Sequence, residues 1–413
     1  MPEKEEESDI SPFQKVPTEI FLYICSLLQV KDLVGSLGRV CKRFHFILSD
    51  ANFWKTLVAK RWNYKYPLQS IDNDNFDWKR AGLELEKQWN LWKSREETVR
   101  RMNVLPNVHI AAVDAVLFIA NSVCVSASRD RSLVVWNPTK STNRFPSYVQ
   151  KSGAHEGWIW RLQSSRDSLY SCSWDNSIKI WAFDSSDLHH KTTFRCCSPV
   201  LSMTLRSDTV VAGDYGKYIT AFDPRRGDEP VFRYSEHRRA VLTLGSVGSD
   251  IISGSEDRTL VVWDSRIQKV RQTIVLGQER FPNCSCTDDN IFYVGDSKGC
   301  VHVFTTGGES VKRLKVYNIG HQKPISVIKN GRSYLLTGSH DGTVKISLPI
   351  QPLKVLTSIK TSRGEVGGMD YKGGILAVGT SNYLEFWMPK EYLGSDLEDD
   401  SNYLEADFRS QFD

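Results

Sequence analysis

One twelve-residue word constrains this chain more than anything else in it. Ser253–Asp264 reads SGSEDRTLVVWD, and the word returns as SASRDRSLVVWN at Ser126–Asn137, SCSWDNSIKIWA at Ser171–Ala182 and TGSHDGTVKISL at Thr337–Leu348. Each copy opens with small residues, turns at an acidic residue and continues through β-branched residues to a fixed terminal position, which reads as strand, tight turn, strand. Weaker copies end at Phe222, Phe304 and Trp387. The terminal positions are 136, 181, 222, 263, 304, 347 and 387, spaced by 45, 41, 41, 41, 43 and 40 residues. A histidine keeps step with them. His155, His237 and His321 stand 26 residues before their terminal positions, His109 stands 27 before Trp136, and Gln278 takes the place before Phe304.

A period of this length, with several short strands in each interval, is that of four-stranded sheets stacked radially around an axis. It predicts an all-β, seven-bladed WD40 β-propeller over residues 98–390. Three strands fit between each histidine and the following terminal aromatic, and an outer strand fits beyond it, as in Ser147–Lys151. After Trp387 come Pro389, Gly394, Ser395 and acids, which are poor strand formers, whereas Val99–Leu105 stands where an outer strand belongs. Residues 98–105 are therefore expected to close the ring on the last blade and remove its free edge.

The repeated polar residues read as scaffold. An Asp in the tight turn accepts from His, and the chain of bonds continues through Ser171 or Ser173 to the Trp indole. The sets are His109, Asp130, Trp136; His155, Asp175, Trp181; and His237, Asp257, Trp263, with His321 and Asp341 in a blade ending at Ser347. Gly216, Lys298 and Ser381 take the Asp place in blades three, five and seven, which are expected to rely on apolar packing. There is no HExxH, no GxSxG and no phosphate-binding glycine loop with its lysine, and the pairs Gly307-Gly308, Gly367-Gly368 and Gly373-Gly374 read as turns. No catalytic residue, metal site or cofactor is predicted. A net charge of +4 leaves no nucleic-acid footprint. No apolar run approaches a spanning helix of about 20 residues, and the start lacks a signal peptide. Nine cysteines without a pairing framework or metal-ligand spacing read as reduced thiols. Neither nucleic acid nor membrane is an expected partner, and the cytoplasm or nucleus is the expected location.

The first hundred residues have a different texture. Residues 1–12 and 391–413 are acidic tails, expected to be mobile. Between them and the strands, Ile20, Ile24, Leu27 and Leu28 recur at helical spacing after Pro17, and Val40, Cys41, Phe44, Ile47 and Leu48 form a second stripe. Asp50 or Asn52 is a candidate cap for a helix carrying Phe53, Trp54, Leu57 and Val58. So small a helical core is marginal alone and calls for a partner surface. After a polar connector over 60–75, a long helix is expected from Trp78 to Arg100, capped by Asp77, with Leu85, Trp89 and Trp92 on one side. It would act as a helical spacer over 61–97.

Residues 13–60 resemble an F-box. Val16-Pro17, Glu19-Ile20, Asp32-Leu33, the segment Val40-Cys41-Lys42-Arg43-Phe44 and Trp54 match that family's anchor positions in order. The resemblance implies docking on the Skp1 adaptor, with Pro17, Glu19, Ile20, Ile24, Leu28, Leu33 and Trp54 as contacts. A helical cap packed on the ring is the plainer alternative.

The residues just before each turn Asp, or its equivalent, should reach one rim of the ring: Arg129, Trp174, Tyr215, Glu256, Ser297, His340 and Thr380. Trp158, Trp174 and Tyr215 beside Arg129 have the composition of a binding hot spot, with Trp160 read as blade core. Arg258 and His340 complete the candidate face. Only Arg129 and a scatter of Arg258, Lys217 and Arg363 could meet a phosphate, so phosphate dependence is not predicted. The whole order of F-box, helix and ring resembles the F-box/WD repeat proteins. The resemblance implies a non-catalytic substrate receptor: Skp1 joins it to a cullin ligase core, and the ring holds an unknown protein substrate for ubiquitin transfer. A scaffold that binds Skp1 outside any cullin complex is the main rival, and an enzyme built on a propeller is a remote one.

Overall fold

The computed structural model describes residues 16–62, 76–103, 108–142, 145–165, 168–184, 187–206, 208–288, 290–306 and 310–392. Both acidic tails (apart from residues 391 and 392), most of the 60–75 connector, the end of Val99–Leu105 and the pair Gly307-Gly308 lie outside them. The chain divides into two compact units. One takes in Met1–Lys93 with Gly331–Leu335 and Ser347–Leu356; the other holds the remainder.

The helical unit contains α1 (Thr18–Leu27), α2 (Val30–Gly35), α3 (Lys42–Ser49), α4 (Ala51–Trp62) and α5 (Trp78–Lys93). Its core joins Phe21, Cys25, Val30, Leu33, Phe44, Leu48, Trp54 and Leu57, with the Phe21 and Phe44 rings stacked at 4.2 Å. Asp50 caps α4 by accepting from Asn52 N, and Asp77 caps α5 by accepting from Arg80 N, each at 2.9 Å. The long helix expected from Trp78 to Arg100 is corrected here. The helix stops at Lys93, turns at Ser94, makes one short helix, α6 (Arg95–Thr98), and becomes β1 (Val99–Asn103). Nor does α5 stand off as a rod. Ala81 and Leu85 pack on Val58 and Trp62, and Glu86 bonds Arg61 Nη1 at 2.7 Å. The other Glu86 oxygen accepts from Val30 N at 2.6 Å, satisfying an orphan donor at the start of α2.

The second half forms seven four-stranded sheets. Blade two is typical: Ile159–Ser165, Ser168–Ser173, Ser177–Asp184 and Asp187–Arg195 pair in antiparallel order. The repeated word spans the second and third strands of a blade, and its small residues give room to the next blade. A Cβ on Gly254 would fall 2.7 Å from Pro282 of blade five. The last blade consists of Gly368–Lys372, Ile375–Gly379 and Leu384–Pro389, with β1 as its outer strand. The β1 register runs from Val99 opposite Pro389 to Asn103 opposite Glu385. Blade seven then meets blade one through Phe118 N, which donates to Asp370 at 2.7 Å, and a Cβ on Gly379 would strike Val113 at 2.6 Å. The inner strands surround a channel of about 430 Å³ walled by residues such as Thr204, Ser246, Thr287 and Lys329. Neighbouring blades are sewn together beside it by hydroxyls: Ser202 donates to Val241 O at 3.0 Å and Ser326 to Val366 O at 2.6 Å.

Candidate functional site

The histidines are fixed in place by the turns. In blade one Trp136 Nε1 donates to Ser126 Oγ at 2.7 Å. The same oxygen lies 2.7 Å from His109 Nε2, and His109 Nδ1 lies 3.0 Å from Asp130. The carboxylate can only accept, so Nδ1 donates to it, and the serine oxygen that takes the indole hydrogen lies against Nε2. Blade two repeats this with Trp181, Ser171, His155 and Asp175 at 2.8, 2.7 and 2.8 Å. In blade four His237 bonds Asp257 at 3.1 Å and Ser253 at 2.8 Å, while the Trp263 ring stacks on Tyr234 at 4.2 Å. In blade six His321 bonds Asp341 and Thr337, each at 3.0 Å, and the buried Ser347 hydroxyl has no partner. Burial pulls the His155 and His321 pKa values below the ordinary imidazole value, and the facing Asp only partly opposes it. Burial would raise Asp130, Asp175 and Asp257, but hydrogen bonds from the histidines and from Ser132, Ser177 and Thr259 outweigh it and hold them well below the usual carboxylate range.

Blades three, five and seven correct the expectation of apolar packing alone. In blade five Asp296, fully buried, bonds Arg280 at 2.6 Å and His302 at 2.9 Å. In blade three Asp214 accepts from Tyr218 N at 2.8 Å. In blade seven the buried Glu385 takes Ser362 N at 2.8 Å and faces Arg101 of β1 at 3.5 Å. The acid stands two residues before the repeated Asp place in blades three and five and four after it in blade seven, which hides it from a search for that position.

Backbone bonds repeat at the residue before each turn. Arg129, Trp174, Tyr215, Glu256, Ser297 and His340 each donate their N–H to the carbonyl of Ala112, Trp158, Pro199, Ala240, Phe281 and Pro324 respectively. Within this series blades one to three bring their side chains together. Arg129 donates to Asp114 through Nε at 2.7 Å and Nη2 at 3.1 Å, and its guanidinium lies 5.2 Å from the Trp158 ring centre and 5.3 Å from that of Trp160. Asp114 raises the Arg129 pKa further through these bonds. Trp174 meets Trp158 at 5.6 Å, Trp160 at 6.1 Å and Tyr215 at 6.1 Å, centre to centre. Trp158 is 45% exposed and Tyr215 59%, whereas Trp174 is half-buried with an indole N–H that has neither solvent nor acceptor. An orphan of that kind costs on the order of 1–3 kcal/mol. Trp160 is half-buried under Arg129 rather than a core residue. Arg258 is exposed in the blade-four turn, in a groove with Arg238 and Arg239, and His340 is half-buried in blade six; neither belongs to this cluster. Asp114, which fixes Arg129, was missed because it lies outside the repeated word. Gly157 allows the close approach here: a Cβ would sit 2.6 Å from Asp175 N.

The helical unit offers a second surface. Ile20, Leu22, Tyr23, Leu27 and Phe46 are exposed apolar residues, Phe46 by 81%. A groove of about 630 Å³ runs among Glu19, Leu22, Tyr23, Phe46 and Phe53. Pro17 and Glu19 are exposed, and Ile24 and Leu28 half-buried. Two of the contacts implied by resemblance are corrected. Leu33 is fully buried, and Trp54 is 1% exposed with its indole donating to Leu48 O at 2.7 Å. Both hold the core and cannot touch a partner. Leu22, Tyr23, Leu27 and Phe46 are instead the apolar side chains that these helices expose.

Among the described residues no group of three or more His, Cys, Asp or Glu could hold a metal ion. All nine cysteines are free, and burial pushes Cys25 up to about 11 and Cys172 and Cys284 to about 12, so these thiols stay protonated.

An F-box-like family model matches residues 13–60, and the WD domain, G-beta repeat model matches 147–182, 228–264 and 309–346. F-box/WD repeat-containing protein 9 of Homo sapiens is 30% identical over 380 residues, covering 90% of this chain and 81% of that protein. F-box/WD repeat-containing protein mec-15 of Caenorhabditis elegans is 25% identical over 339 residues, covering 78% and 82%. Among solved structures, the WD40 beta propeller domain of Doa1 superposes with a TM-score of 0.58 at 18% identity, covering 70% of this chain and 96% of that one.

Proposed function

Because the chain belongs to the F-box/WD repeat-containing proteins, we propose that it is the substrate receptor of a Skp1–cullin–F-box ubiquitin ligase. Its helical unit binds Skp1, Skp1 joins it to the cullin core, and the ring holds the client. The observation that carries the reading is the pairing of two different sticky surfaces in one chain: exposed Ile20, Tyr23, Leu27 and Phe46 on the helices, and the Arg129–Trp158–Trp174–Tyr215 cluster on the rim. Isolated exposed apolar residues need no explanation, but clustered ones mark interaction sites. No residue of the chain carries out covalent chemistry in this reading. A separate subunit supplies the charged ubiquitin enzyme, and the receptor contributes proximity and orientation. The free, protonated thiols support a cytoplasmic or nuclear setting.

Affinity capture from cells tests it. Wild-type protein should recover Skp1 and cullin, Ile20→Asp with Phe46→Asp should lose both while keeping the client, and Trp158→Ala with Arg129→Glu should do the reverse. Recovery of Skp1 without cullin, and no protein stabilised on depletion, would favour the scaffold reading instead.

A further inference from the structure

The outer strands of the seven blades carry thirteen Lys and Arg and one acid, Asp187. Lysines on a sheet edge keep foreign strands from pairing with it, but in blades four and five they share that edge with apolar side chains. Lys269–Val275 and Lys312–Asn318 hold five of the thirteen cations and no acid, and they expose Val270, Val275, Leu314 and Val316. In blade five the two faces of the strand differ. Arg313 turns to blade four, donating to Val275 O at 2.7 Å and Leu276 O at 3.3 Å, and Lys315 lies 5.4 Å from the Tyr317 ring centre. Lys312, Leu314 and Val316 alternate onto the other face, which is exposed. The strand ends its sheet, so its outward edge has no partner strand among the described residues.

The chain itself holds the complement to this face. Residues 13–392 carry 51 Lys and Arg against 37 Asp and Glu, whereas residues 393–413, outside the described residues, carry one Arg against seven acids. A segment that only solvates has few aromatics, and residues 1–12 have none. The last segment sets Leu397, Tyr403, Leu404, Phe408 and Phe412 among its acids. It leaves blade seven at Tyr392, just after the third strand of that blade. Phe408 stands sixteen residues further on, about 50 Å of extended chain. Packed sheets stand about 10 Å apart, so blade five, two blades away, is within reach.

We propose that residues 403–412 lie on the Lys312–Leu314–Val316 face of the same chain. Leu404 and Phe408 cover Leu314 and Val316, and the acids beside them, Glu405 and Asp407, meet Lys312. Tethering holds the segment at an effective concentration on the order of millimolar, so a contact of modest affinity stays occupied. The contact covers an apolar edge that is otherwise open to a strand of another chain.

A photoreactive phenylalanine analogue in place of Phe408 tests this in the full chain, with isotopically light and heavy chains mixed. Crosslinks are expected to Lys312–Asn318 within one isotopic form, with a yield that falls severalfold in about 0.5 M salt. Lys312→Glu with Leu314→Ser, both at exposed positions, should cut the yield by about tenfold. In the chain without the analogue, Phe408→Ser should raise amide exchange over Lys312–Asn318 by about threefold or more and leave Thr259–Asp264 unchanged. Crosslinks elsewhere on the ring or on the helices, no crosslink, or a yield indifferent to the double substitution overturns the proposal. Crosslinks that join light chains to heavy ones overturn it in favour of a contact between copies.

Discussion

Arg129 grips Asp114 through two parallel donors at 2.7 and 3.1 Å while its guanidinium lies 5.2 Å from the centre of the Trp158 ring. One side chain thus fixes an inner-strand carboxylate and an exposed indole together. Planarity is what makes both contacts possible, and lysine has no equivalent.

Arg129→Lys is therefore expected to loosen Trp158 and to weaken client binding by about tenfold, although the charge is kept. The folding cost should be near 1 kcal/mol, below the about 1.5–3 kcal/mol of a charged hydrogen bond, because the arginine side chain is 37% exposed. A thermodynamic cycle with Asp114→Asn checks it. Additive losses would mean the two residues act separately.

Acid should unfold the ring in two stages. His155 and His321 bind protons less readily when folded than their ordinary 6.5, and the turn acids do so relative to 3.8, with Asp341 down to about 2. The unfolded chain takes up more protons in both windows, so stability falls as pH drops, first below about 6.5 and again below about 4. Each histidine contributes a slope of at most about 1.4 kcal/mol per pH unit. Urea midpoints across pH should show both stages, and His155→Gln should flatten the first. Midpoints that do not move between neutral pH and pH 5 would contradict the assignment.

Blade seven should open first when β1 is weakened. Met102 is 8% exposed in a cluster with Trp136, Phe386 and Met388. Met102→Ala is expected to cost about 2–4 kcal/mol. Amide exchange should rise in Leu384–Pro389 before it rises in Thr259–Asp264 of blade four. Uniform exchange across all blades would argue against a separate closing step.

In the helical unit, Leu33→Ala and Ile20→Ala should part company. The first empties a fully buried site at a cost of about 2–5 kcal/mol and melts the unit. The second removes a 52% exposed side chain and should leave the melting temperature within a degree or two while reducing adaptor binding. Equal melting shifts would place Ile20 in the core.

The repeating parts of this fold were legible because repetition supplies its own control. The His155–Asp175 pair recurs at an offset of 20 residues in three blades and 21 in blade one, and the same bonds follow. What appears once had no such control. His302 lies six residues after Asp296 on the far side of a turn, and Arg280 reaches it from the preceding loop, so the blade-five device looks like unrelated residues in one dimension. The same holds for Asp114 and Arg129, fifteen positions apart. A motif also marks position without marking direction. Leu33 and Trp54 match F-box anchors, but only packing reveals that they face inward while Phe46 faces out. The helix predicted to reach Arg100 ends at Lys93 because Val99 and Met102 gain more from burial in blade seven than from a further helical turn.

The closing strand also sets an order of assembly on the ribosome. β1 precedes every blade, and its partner Leu384–Pro389 is the last strand to be made among the described residues. Until that segment emerges, the nascent ring is an arc with two unpaired edges. Helices α1 to α5 have by then been outside for on the order of tens of seconds at ordinary elongation rates. The helical unit, with its exposed Tyr23, Leu27 and Phe46, is thus complete before the rim of the ring has been sealed.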